Sequence, residues 1–188
     1  EMNEYNLIGG SESTIDYGIP ISTKKVSVSE PGTYNLKNIE TSVLATTQTQ
    51  EFQELTIKEK IEIDSSSLTL KNCNINDNIQ IEITKSTSEW PSMSLQNTEI
   101  NPQSISFDLN IPSTDESRLL SEENEEYESH ILISGLSSES GCSSIKSKIV
   151  FKNNGPFSLK CSDNNQQLIA TKGGYKEPTI IIPDPDPV

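Results

Sequence analysis

The stretch Ser67-Leu68-Thr69-Leu70-Lys71-Asn72-Cys73-Asn74-Ile75-Asn76-Asp77-Asn78 decides the reading of this chain. Apolar residues alternate with polar ones, an Asn interrupts them, and the alternation resumes. The pattern recurs as Ser92-Met93-Ser94-Leu95-Gln96-Asn97-Thr98-Glu99-Ile100-Asn101, setting Leu95 against Leu70, Asn97 against Asn72 and Ile100 against Ile75. Alternation of this kind puts successive side chains on opposite faces of a strand. The step from Leu70 to Leu95 falls within the roughly 20–50-residue range of solenoid repeats. The expectation is a stack of rungs, each with one strand before an Asn bend and one or two after it.

Neighbouring segments extend this pattern. Leu55-Thr56-Ile57 and Ile61-Glu62-Ile63 alternate ahead of the first repeat. Ile79–Ile83 and Ile105–Leu109 follow the two repeats at nearly the same step, which sets Ile105 against Ile79. Further upstream, Val26-Ser27-Val28-Ser29-Glu30 reads as a strand, Pro31-Gly32 as a turn, and Tyr34 and Leu36 as the start of another strand. Residues 1–25 read as an N-terminal cap or edge strand, 26–175 as the solenoid domain, and 176–188 as a Pro-rich tail or linker. An acidic loop insertion is expected at 112–129, with seven acidic residues between Asp115 and Glu128. Strand character resumes at Ile131-Leu132-Ile133, Ile149-Val150-Phe151 and Phe157-Ser158-Leu159. An antiparallel β-sandwich with evenly spaced strands would give a similar pattern and stays open as the alternative.

Two segments carry a resemblance. Val26-x-Val28-x-x-Pro31-Gly32-Thr33-Tyr34-x-Leu36 resembles the lead-in rung of right-handed parallel β-helix proteins of the pectate-lyase-like type, and Leu68-x-Leu70-x-Asn72-Cys73-x-Ile75 resembles their internal rungs. Phe151-Lys152-Asn153-Asn154 is similar to the Phe-x-x-Asn element of polymorphic outer-membrane surface proteins, whose Gly-Gly-Ala-Ile hallmark is absent here. The resemblance implies a right-handed parallel β-helix over fragments of residues 26–165, with Leu68, Leu70 and Ile75 inward and an Asn stacked at each bend. Asn72, Asn97 and Asn153 are the bend residues it points to. It also implies that any catalysis on this scaffold would use Asp pairs, or Asp-bound calcium with a basic residue, on polysaccharides.

Composition narrows the function classes. The apolar fraction is 31%, against about 45–50% for globular chains counted with Gly; a narrow solenoid core needs fewer apolar residues than a two-layer domain. Net charge is −14, which repels phosphate backbones and anionic lipid, so nucleic acid is not an expected partner. No apolar run approaches the length of a membrane span; membrane association is expected only through a segment outside this chain. Arg118 and His130 are the only residues of their types, which counts against catalysis and metal binding. None of the 16 Asn falls in an Asn-x-Ser/Thr sequence, which weakens the case for a eukaryotic secretory route.

Few residues are candidates for chemistry. Cys142 and Cys161 are separated by nearly one rung length and form a disulfide candidate on adjacent rungs, with buried thiols as the plainer reading. Cys73 reads as core, because Thr98 takes its place in the next repeat. Asp64, Asp77 and Asp108 lie nearest the rungs and read as solvated turn residues before they read as acids. His130 has no partner motif, and Arg118 sits in the acidic insertion. Calcium is an option at the Asn74, Asn76, Asp77 and Asn78 cluster and at Asp184 and Asp186 of the tail, yet no Asp-x-Asp-x-Asn-Gly loop occurs; no cofactor is expected. Ile180-Ile181-Ile182, flanked by Pro178 and Pro183, reads as an edge strand that either caps this chain's own end or is donated to a neighbour.

The expected function is that of an extracellular or cell-surface β-solenoid module, structural or adhesive and not an enzyme. Its expected partners are other surface proteins, glycans or copies of itself. A polysaccharide-acting lyase or hydrolase on the same scaffold is the alternative.

Overall fold

A computed structural model of the chain describes residues 5–7, 12–109, 128–138, 141–153 and 156–172. Two short strands set the logic of the fold. β6 (Ser67–Lys71) and β9 (Ser92–Gln96) run parallel in register, with Leu68 beside Met93 and Leu70 beside Leu95. β4 (Gln50–Gln53) lies on the other side of β6, parallel to it, and pairs in turn with the first residues of β3 (Gly32–Thr46). These strands make one wall. The second wall starts from the later residues of β3 and continues through β5 (Thr56–Asp64), β8 (Gln80–Thr84), β10 (Ser104–Asp108) and β12 (Ile149–Asn153), all parallel. The chain passes from wall to wall in each turn, giving a β-solenoid of about five turns. Successive parallel partners separated by a full turn exclude the sandwich, whose sheets are antiparallel.

Parallel pairing reaches back into the segment read as a cap or edge strand. β2 (Glu12–Val28) runs along β3 from Glu12 opposite Thr33 to Ser27 opposite Ala45, and β1 (Tyr5–Leu7) pairs with its last residues. The two-residue β7 (Asn74–Ile75) adds to β5 at the bend.

Rung length is not constant. Leu68 stands between Gln50 and Met93, so the turn before it is shorter than the turn after it. In the second wall Ile105 pairs with Ile81 rather than with Ile79, the partner its place in the repeat implied. A slip of two residues leaves every side chain on the same face, so alternation alone cannot tell these registers apart.

The core is a set of inward columns. Tyr34, Phe52, Leu70 and Leu95 follow one another down the first wall, and Leu44, Ile61, Ile81 and Ile105 down the second. All eight are buried. Thr41 and Gln50, both buried, have partners: the Thr41 hydroxyl donates to the Val43 carbonyl at 2.8 Å, and the Gln50 amide donates to the Val28 and Glu30 carbonyls, both at 2.8 Å. These bonds offset the desolvation of buried polar groups.

Beyond the turn ending at Leu109 the pattern changes. The acidic insertion falls almost wholly on residues 110–127, outside the described residues. β11 (Glu128–Ser134) rejoins the first wall through Ile133 and Ser134, opposite Met93 and Ser94 of β9. It then pairs antiparallel with β14 (Gln167–Lys172), which pairs antiparallel with β13 (Phe157–Cys161). A helix, α1 (Gly141–Lys146), lies between β11 and β12. The strands read in 131–159 are present, but only part of them continues the parallel stack, and β12 does not alternate in burial.

Candidate functional site

The bends come first, because they fix every surface of the solenoid. At the corner leaving the first wall, Asn38, Glu54, Asn72 and Asn97 have φ of 64°, 58°, 51° and 47°. This left-handed conformation costs most residues about 1–2 kcal/mol, and Asn less than others. The Asn97 amide donates to the Asn72 side-chain oxygen at 2.7 Å, joining the two bends. Backbone bonds continue the ladder, from Glu54 N to Lys71 O and from Asn72 N to Gln96 O. Asn153 is a correction. It ends β12 opposite Asp108, in the second wall, and does not join Asn72 and Asn97. The long excursion from Met93 to Ile133, with α1 after it, shifts the phase, so Phe151 aligns with Phe107 rather than with a strand of the first wall.

Two substitutions test this corner. Asn72→Leu should lower stability by about 1–2 kcal/mol, through left-handed strain and the lost amide ladder. Glu54→Asn, at the one bend of the four without Asn, should raise stability by about 0.5 kcal/mol. Urea denaturation reads both, and a wild-type midpoint for Asn72→Leu would refute the role given to the bend.

Cys142 and Cys161 form a disulfide, with Cα atoms 5.7 Å apart. Its setting differs from the one expected. It ties α1 to the end of β13 rather than joining neighbouring rungs. Such bonds persist in oxidising compartments. Cys73 is buried at the corner, its thiol donating to the Phe52 carbonyl at 3.3 Å while its own amide donates to the Thr98 hydroxyl at 3.1 Å. Burial pushes its pKa up to about 11, so the reactive thiolate is suppressed. A thiol reagent at pH 8 should therefore label no residue in the native protein and one per chain after non-reducing denaturation. Rapid native labelling would contradict the packing.

The three carboxylates nearest the rungs do not converge. Asp64 and Asp108 share a column with Thr84 between them, so their backbones stand two strand spacings apart, roughly 10 Å. Asp77 lies at a different corner, accepting from the Asn101 amide at 3.1 Å. Among the described residues no group of three or more His, Cys, Asp or Glu could hold a metal ion. Ile180–Ile182 and Arg118 lie outside the described residues. The outward face of the second wall carries ion pairs instead: Lys60 bridges Glu62 at 2.8 Å and Glu82 at 2.9 Å. The Lys60 hydrogen bond holds the Glu82 carboxyl below its ordinary range.

A groove opens at the third corner, where the chain returns from the second wall to the first. Successive loops there differ in length: Thr47–Thr49 after β3, Ser65 and Ser66 after β5, and residues 85–91 after β8. The longest of them places Thr87, Glu89 and Trp90 beside the two short ones, enclosing about 380 Å³. Asp64 ties the loops together, one carboxylate oxygen accepting from Ser86 Oγ at 2.6 Å, Ser65 Oγ at 3.0 Å and Ser86 N at 3.2 Å. Ser65 Oγ also accepts from Ser86 N at 2.7 Å and Thr87 N at 2.9 Å. Lys85 is buried, donates to the Thr87 carbonyl at 2.8 Å, and holds its ammonium 5.3 Å from the Trp90 ring centroid.

Trp90 is braced from behind. His130 stacks on it with centroids 3.7 Å apart and planes 11° apart, and Phe157 meets it edge-on at 4.8 Å. Glu128 holds His130 at 2.5 Å. His130 is therefore a packing residue of β11 that fixes the indole. Sequence reasoning passed over Trp90; the available signal was a lone Trp closing a Ser/Thr-rich loop between two repeats.

Comparison of the chain with protein-family models, curated proteins and solved structures finds no match.

Proposed function

We propose that the chain is an extracellular, cell-surface β-solenoid module with a structural or adhesive role and no catalytic activity, able to associate with copies of itself through a strand edge. One observation carries this reading. β12 ends the second wall with β10 as its only strand partner among the described residues, and it leaves Val150 55% and Phe151 41% exposed. A parallel edge with no further strand beside it among the described residues, and bearing apolar side chains, is a template for another strand. The disulfide supports an oxidising, extracellular setting.

The test is size in solution. Wild-type protein, a form lacking residues 175–188 and a Val150→Lys form are compared by sedimentation. Association that Val150→Lys abolishes supports the edge reading, and its loss on truncation as well assigns the donated strand to the tail. A wild-type monomer across the micromolar range overturns self-association. Incubation with acidic and neutral polysaccharides, with and without calcium, tests the enzyme alternative: any cleavage product displaces the non-catalytic reading.

A further inference from the structure

The groove at the third corner has the chemistry of a small-molecule site. Its 380 Å³ lies at the lower end of the about 300–1,000 Å³ typical of such sites. Most are lined by apolar side chains; here one indole stands among hydroxyls, an amide and carboxylates. We infer that this groove binds a neutral sugar unit of a surface glycan, an inference that rests on the adhesive reading above and gives it a site.

Three physical points support this assignment. First, the walls are already ordered. Asp64 and Ser65 fasten the 85–91 loop to the rung before it, and His130 and Phe157 fix Trp90, so little conformational freedom is lost on binding. Second, part of the lining is not consumed by this framework. The side chains of Gln48 and Glu89 make no hydrogen bond or ion pair among the described residues, and the three bonds to Asp64 all fall on one oxygen. An amide that donates and accepts, hydroxyls that do both and carboxylates that accept are the complement of a ring of sugar hydroxyls.

Third, charge selects the class. Asp64 and Glu89 line the groove, its neighbouring ammonium on Lys85 is buried and engaged with the Thr87 carbonyl, and the chain carries a net charge of −14. Uronate, sulfated and sialylated sugars are therefore disfavoured by like-charge repulsion. A peptide is a poorer fit, because Trp90 is the one large apolar anchor in the groove.

Trp90 is the only Trp in the chain, so its emission reports on the groove directly. The full chain is titrated with neutral trisaccharides of glucose, galactose and mannose and with a trisaccharide of galacturonate, followed by fluorescence and by calorimetry. The expected result is saturable binding of at least one neutral sugar with a change in Trp90 emission, and none of the uronate. The double variant Gln48→Ala/Glu89→Ala should raise Kd about tenfold or more, the loss of one or two good hydrogen bonds, with an unchanged melting temperature. No saturable binding by either method, equal binding by the double variant, or preference for the uronate each overturns the inference. Self-association through β12 is read by sedimentation in sugar-free buffer, so failure of the groove and failure of the adhesive reading are told apart.

Discussion

Gly135→Ala should detach β11 and its antiparallel partners β14 and β13 from the first wall, at a cost of at least about 4 kcal/mol. Gly135 follows the last parallel pair between β11 and β9, Ser134 opposite Ser94. Its φ is +79°, and a Cβ there would lie 2.0 Å from the Leu95 carbonyl oxygen and 2.9 Å from the Leu95 carbonyl carbon. Both contacts are backbone atoms of a strand hydrogen-bonded on its other side to β6, so no side-chain rotation relieves them. β11 joins β9 through only two residue pairs, Ile133–Met93 and Ser134–Ser94. Pushing it away breaks the first-wall link of the unit made of β11, β13, β14 and α1, and leaves that unit tied to the solenoid through β12, which pairs with β10.

Hydrogen exchange should show this as lost protection in β11, β13 and β14, with protection kept across 32–84 and in β12, which stays paired with β10. Gly18→Ala is the control: its φ is +70°, but nothing lies within 4 Å of the added carbon. It should cost only about 1 kcal/mol of backbone strain. Similar losses from the two substitutions would show that φ, and not the approach of Leu95, dominates at Gly135.

The contrast between these glycines also marks what could be read from the sequence. Leu70 and Leu95, Asn72 and Asn97 pair as their alignment implied, because within those two rungs the alternation and the bend recur at one spacing. Shorter rungs before them escaped, since Phe52 sits two residues before a bend occupied by Glu54 rather than Asn. The antiparallel hairpin of β13 and β14 could not be told from another rung, as alternation does not encode strand direction. The cysteine pair was found by counting, but its partner elements were not, because a short helix between two strands leaves little periodicity. The groove was least legible. It arises from unequal loop lengths on neighbouring turns, and that depends on which residues stack, a matter of register rather than of local pattern.

Phe52→Ala is the second large effect, about 3–5 kcal/mol from lost burial and the cavity left behind. Phe52 is fully buried, its ring 5.6 Å from that of Tyr34 and inclined at 29°, with Leu70 in register on the other side. Each wall contributes a single inward-facing layer to the core, so no second layer collapses into the gap. Neighbouring turns stabilise each other across their interfaces, and Phe52 lies on two of them, facing β3 and β6.

The same residue type at the end of the stack gives the comparison. Phe151 meets Phe107 at 6.1 Å but is 41% exposed and has no described rung beyond it. Phe151→Ala should therefore cost about 1 kcal/mol or less, and Phe52→Leu, closer in volume, less than about 1.5 kcal/mol. The local signature is the thiol of Cys73, which donates to the Phe52 carbonyl and is shielded by the same corner. In Phe52→Ala it should become reactive at pH 8 under native conditions, while in Phe151→Ala it stays closed. Equal unfolding midpoints and equally silent thiols in the two alanine variants would mean that the central rung is no more tightly coupled than the end, and the column model of the core would have to be given up.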